Sequence, residues 1–90
     1  MREIDVSYTK RVFGKNLKYY RYMRNLTQEQ LAEKIGIDST SVSDIERGSK
    51  GPMFETLTKI ANVLNVKLSQ LFDEDILDKE LPSTIRIFKK

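Results

Sequence analysis

Histidine, cysteine and tryptophan are absent from these 90 residues, proline occurs twice and glycine four times. Without cysteine, neither a disulfide nor a thiolate metal site can brace the fold. That fits a reducing compartment, and a cytoplasmic location is the expectation. Without histidine, the usual proton shuttle near neutral pH and a common metal ligand are both missing. No apolar run approaches the ~20 residues of a membrane span, and the opening MREIDVSYTK lacks the apolar stretch of a signal peptide. No membrane partner, cofactor or metal is therefore expected. Ninety residues make one small domain. A core of that size is thin and is often supplemented by an oligomer.

The net charge of +3 is modest, but its distribution is uneven. Lys10, Arg11, Lys15, Lys18, Arg21 and Arg24 fall in a stretch without an acid, whereas residues 73–80 hold five acids and one lysine. A basic face suits phosphates; standing alone, such a cluster is more often a solvated helix face.

Ile4, Val6 and Tyr8 alternate with polar residues, the period of a short strand, so residues 1–9 are expected to be strand-like. From about Thr9 the period becomes helical, with Phe13, Leu17 and Tyr20 on one side. Helix 1 is expected over about 10–24, with Asn25 as its left-handed C-terminal residue. Thr27 and Gln30 form a capping box at the start of helix 2, which buries Leu31, Ala32 and Ile35. Gly36 stands where a turn needs positive φ. Asp38 caps helix 3, from about Ser39 to Arg47, whose Val42 and Ile45 point back at Leu31 and Ile35. Gly48 stops it, and Ser49, Lys50, Gly51 and Pro52 form a loop. Helix 4 is expected from about Phe54 to Leu64, ended by Asn65. Ser69 caps helix 5, which buries Leu71 and Phe72 and is expected to run on toward Leu77. Pro82 breaks any helix there, and residues 84–88 read as a final strand. The fold class is mainly α: five helices, with short β-strands expected at the N- and C-termini. The expected division is a strand-like segment 1–9, a five-helix domain 10–73, and an acidic, strand-like tail 74–90 as the dimerisation element.

Two short helices joined by a glycine-containing turn, residues 28–47, hold the second helix out for docking in a major groove. The blocks LTQEQLAEKIG, IERG, KIANVLNV and QLF, all within residues 13–72, closely resemble the Cro and phage-repressor (XRE-like) helix-turn-helix family. The resemblance implies a five-helix repressor-type domain that binds double-stranded operator DNA, usually as a homodimer. It also implies roles for particular residues. Ser39, Thr40, Ser43 and Asp44 match exposed recognition-helix positions that contact bases. Gln28 matches a glutamine that bonds a DNA phosphate at the start of helix 2. Arg47, Ser49 and Lys50 match the phosphate-contacting region after the recognition helix. Arg21 and Glu46 match an internal salt bridge that orients the recognition helix and leaves the arginine close to the DNA backbone.

The chain departs from the pattern in three places. Serine and threonine stand where relatives often carry amides or arginine, and Asp44 repels phosphate. Met53 replaces the usual Ser or Thr cap of helix 4. Lys67 falls where relatives often carry the cap of helix 5, so Ser69 is expected to substitute.

A sequence-specific transcriptional regulator, a repressor binding a palindromic operator, is the leading expectation. The alternative is an antitoxin-like interaction module whose tail binds a partner protein such as a toxin. An enzyme is disfavoured. Asp44 and Glu46 are two apart on a helix and share no face, Ser41 has no partner base, and no phosphate loop or metal-ligand cluster appears.

Overall fold

The computed structural model describes residues 1–81. Five α-helices follow in order: α1 Val6–Met23, α2 Gln28–Ile35, α3 Ser39–Glu46, α4 Phe54–Leu64 and α5 Leu68–Leu71. A 3₁₀ turn, Glu74–Asp78, closes the described chain. The expected break at Pro82 and strand over 84–88 lie outside the described residues.

The N-terminal strand expected from Ile4, Val6 and Tyr8 is not formed: Val6 and Tyr8 belong to α1. The Asp5 side chain accepts a hydrogen bond from the Tyr8 backbone N–H at 2.8 Å and starts the helix four residues earlier than its apolar period indicated. The alternation misled because Ile4 and Val6 are largely exposed, so no buried face selects an extended register. Farther on, Val12, Phe13, Asn16 and Leu17 are buried at helical spacing. Asn25, at φ 57°, turns the chain out of α1.

The middle of the chain follows its local signals. Thr27 Oγ1 accepts from the Gln30 N–H at 3.0 Å and Gln30 Oε1 accepts from the Thr27 N–H at 2.8 Å, the expected capping box. Gly36 leaves α2 at φ 80° and Gly48 follows α3 at φ 77°. Asp38 accepts from the Ser41 N–H at 2.7 Å, capping α3. Helix α4 keeps its expected limits although Met53 supplies no side-chain cap. Arg24 instead secures the far end of α4, donating through Nε to the Leu64 carbonyl at 2.8 Å.

Helix α5 departs from expectation. Its N-cap is Lys67, not Ser69, and Gln70 Oε1 accepts from the Lys67 N–H at 2.7 Å. The helix ends at Leu71, and the Asp73 side chain starts the 3₁₀ turn by accepting from the Asp75 N–H. The buried Asn16 amide donates to the Asp73 carbonyl at 2.9 Å, holding the chain at the break. Leu71 is buried as expected. Phe72 is 41% exposed, its ring 5.2 Å from that of Phe13. One core unites the helices: Phe13 and Leu17 of α1, Leu31, Ala32 and Ile35 of α2, Val42 and Ile45 of α3, Ile60 and Leu64 of α4, and Leu71.

Candidate nucleic-acid interface

Helix α3 is two-faced. Val42, Ile45 and Glu46 are buried, while Thr40 is exposed and Ser39, Ser43 and Asp44 are half-buried. The turn before it is built by Gly36 and Ile37, whose N–H groups both donate to the Ala32 carbonyl, at 2.8 and 3.0 Å. The outer row Ser39, Thr40, Ser43 and Asp44 therefore lies on one side of a short helix whose inner side is fixed by the core.

A buried polar cluster holds that orientation. Arg21 Nε stands 2.5 Å from Glu46 Oε2, and Nη2 donates to Glu46 Oε1 at 3.0 Å. Arg21 Nη1 donates to the Leu26 carbonyl at 2.8 Å, and Gln28 Nε2 donates to Glu46 Oε1 at 3.0 Å. One carboxylate thus links α1, α2 and α3, and every buried side-chain polar atom among the described residues has a partner. The expected Arg21–Glu46 pair is present, but Arg21 is 3% exposed and its donors are turned inward. The expected phosphate contact of Arg21 finds no support in this geometry, since the side chain lies behind α3 with donors committed to Glu46 and Leu26. Gln28 is half-buried, with its amide turned toward Glu46, leaving its carbonyl oxygen and a second N–H uncommitted.

Gly14 is a positioning residue that the sequence reading missed. A Cβ there would stand 2.4 Å from the Ile45 carbonyl oxygen and 2.6 Å from that of Glu46. Only a residue without a side chain lets α1 cross the end of α3 so closely. Nothing in the local pattern marks it, because Gly14 sits mid-helix, where glycine is ordinarily unfavourable.

The expected phosphate-contacting residues after α3 are near the surface. Ser49 Oγ donates to the Asp44 carbonyl at 3.0 Å, closing the helix end, and Lys50 Nζ reaches Ser41 Oγ at 3.4 Å. The Asp38 carboxyl is held below its usual range by the hydrogen bond from the Ser41 backbone, by the Ser41 side chain and by the charge of Lys50. Arg47 does not extend into the loop. It folds back along α3, with Nη1 donating to Ser43 Oγ at 2.6 Å and Nη2 paired with Asp44 Oδ1.

The basic stretch of α1 is divided by the fold. Arg21 and Arg24 serve internal carbonyl and carboxylate partners. Lys10 and Arg11 lie beside the loop after α3. A Cβ on Gly48 would be 3.4 Å from the Arg11 backbone, and one on Gly51 would be 3.8 Å from the Lys10 side chain. The two arginines, Arg11 and Arg47, border the same open cleft. Among the described residues, no group of His, Cys, Asp or Glu could hold a metal ion, and no helix is long and apolar enough to cross a membrane.

The helix-turn-helix family HTH_3 matches residues 17–71. The chain is 43% identical over 56 residues to an uncharacterized HTH-type transcriptional regulator of Methanocaldococcus jannaschii, covering 62% of this chain and 85% of that protein. It is 39% identical over 67 residues to the immunity repressor protein of Bacillus phage phi105, covering 74% of this chain but 46% of the repressor. The crystal structure of the restriction-modification controller protein C.AhdI from Aeromonas hydrophila aligns with a TM-score of 0.71 at 30% identity, covering 77% of this chain and all of that one.

Proposed function

The chain belongs to the HTH_3 helix-turn-helix family, and from that premise we propose that it is a transcriptional repressor that binds a palindromic operator as a homodimer. The observation that carries this reading is the construction of α3. Its inner side is locked by Val42, Ile45 and the Arg21–Glu46–Gln28 cluster, and its outer side is a row of polar side chains. A helix so presented is suited to enter a major groove, with Ser39, Thr40, Ser43 and Asp44 toward the base edges. Gln28, Ser49 and Lys50 flank it and serve the phosphates, and Arg47 sits on the boundary between the two sets. The similarity to a phage immunity repressor supports repression as the regulatory sense.

A single α3 with short side chains makes few base contacts, so useful specificity calls for two copies on one DNA face. Half-sites about 34 Å apart, one helical turn, are expected. Selection of bound sites from random duplex DNA at near-physiological salt tests the proposal. The expected result is an inverted-repeat consensus, with the bound species a dimer by sedimentation. Lys50→Ala should reduce the slope of log affinity against log salt by about one. Failure to enrich any duplex sequence overturns the reading.

A further inference from the structure

Arg47 is the C-cap of α3 and keeps right-handed helical geometry, at φ −78° and ψ −8°. A residue in that geometry sends its side chain back over the preceding turn. The guanidinium accordingly lies on Ser43 and Asp44, two residues of the outer row of α3, and not on the following loop. The Arg47 side chain is nevertheless 62% exposed. It is also the longest side chain on that face, since Ser39, Thr40, Ser43 and Asp44 are all short.

We propose that Arg47 reads a guanine in the major groove, with Ser43 and Asp44 holding its guanidinium in the reading orientation. The proposal rests on the operator-binding reading above and changes which residues carry its specificity. A guanidinium has five N–H donors in a planar fork. One hydrogen bond to Ser43 and one to Asp44 leave three N–H groups for a further partner. Guanine offers N7 and O6 as a matched pair of acceptors on its major-groove edge, and bidentate pairing with arginine is the commonest specific base contact.

Charge separates this role from a phosphate contact. A carboxylate beside the guanidinium repels an approaching phosphate, but it does not oppose donation to the neutral edge of a base. The same pairing settles the difficulty of an aspartate on a groove-facing helix. The Arg47 charge offsets that of Asp44, so α3 enters the groove without an uncompensated anion. Asp44 is then a positioning residue for Arg47, not an independent base reader.

Selection of bound sites with the full chain and the variants Arg47→Lys, Arg47→Ala and Asp44→Asn tests the assignment. Lysine keeps the charge and loses the fork, which distinguishes a base reader from a phosphate contact. The wild-type consensus should contain a guanine in each half-site that both Arg47 variants fail to select. For Arg47→Lys, affinity for the guanine-containing operator should fall about 5- to 150-fold. Its salt slope should stay unchanged, because the cation remains. Substituting that guanine in the operator should cost the wild type much and the Arg47→Lys variant little. Asp44→Asn should relax the same base position. If Arg47→Lys retains the guanine and the affinity, Arg47 is a phosphate or solvent contact and the inference is overturned. If Asp44→Asn changes a different position, the positioning role of Asp44 is overturned. If the wild type itself enriches no duplex, the operator-binding reading fails, a result distinct from either of these.

Discussion

Two arginine–carboxylate pairs flank α3, one on each side. Behind the helix, Arg21 and Glu46 have side chains 4% and 3% exposed; on its outer face, Arg47 and Asp44 are 62% and 26% exposed. The chemistry is the same and the environments differ. The inner pair has left water, so each charge depends on its partner, and Leu26 and Gln28 complete its hydrogen bonds. The outer pair remains solvated, where an ion pair contributes between zero and about 1 kcal/mol and is weakened by salt. Burial makes the first pair a structural joint among three helices. Exposure leaves the second at the surface, with three N–H groups of Arg47 uncommitted.

The largest effect should come from breaking the inner pair on one side. Glu46→Ala leaves the Arg21 guanidinium buried without its carboxylate and should destabilise the domain by ~3–5 kcal/mol, measured by urea denaturation. A loss below ~1 kcal/mol would erase the contrast between the pairs. Replacing both partners, Arg21→Met with Glu46→Leu, should restore most of that stability, because no orphaned charge remains. Operator affinity should stay low in that double variant, since the polar joint that orients α3 is gone. Recovery of both stability and binding would show that the pair has no orienting role.

A smaller loss, ~1–3 kcal/mol, is expected for Gly14→Ala. The new methyl group meets backbone oxygens of Ile45 and Glu46, which cannot rotate away. Chemical denaturation and operator titration should therefore both report the change, with α3 displaced. Asp44→Asn should alter stability by less than ~1 kcal/mol, measured by thermal melting, because its pair with Arg47 is exposed and screened.

The subtlest expectation concerns acid. Asp38 titrates below the usual aspartate range because its carboxylate accepts the Ser41 backbone N–H at the start of α3. A depressed folded-state value means that the cap supports folding at pH above the unfolded-state value. That support is lost as pH falls through the folded-state one. Carboxyl chemical shifts followed through an acid titration should place Asp38 below the free carboxylates of the same chain. Asp38→Asn should remove that part of the acid dependence.

Helices α2, α3 and α4 were legible because their signals are local. Thr27 and Gln30, Asp38, Gly36, Gly48 and Asn65 each satisfy or end a helix within a few residues of themselves. The start of α1 lies earlier than the strand-like alternation at Ile4, Val6 and Tyr8 indicates, because the Asp5 side chain caps the helix there. The end of α5 departs from its pattern for a different reason. Its stop involves Asn16, 57 residues away, whose amide takes the Asp73 carbonyl. Among the interface residues, the outer row of α3 followed from its spacing against Val42 and Ile45, whereas the inward turn of Arg21 and the fold-back of Arg47 did not.

The sequence by itself determined the helix-turn-helix and its family, because capping, turn conformation and apolar period are properties of neighbouring residues, and the motif is made of neighbours. Tertiary structure alone decided how α3 is held and which arginine it presents. Gly14 matters only because α1 crosses α3 there, and Arg21 turns inward only because Glu46 and Leu26 lie behind it. A guanidinium on a long, flexible stem can pair with any carboxylate in reach. Which carboxylate that is depends on packing among distant segments, and a linear pattern does not carry that information.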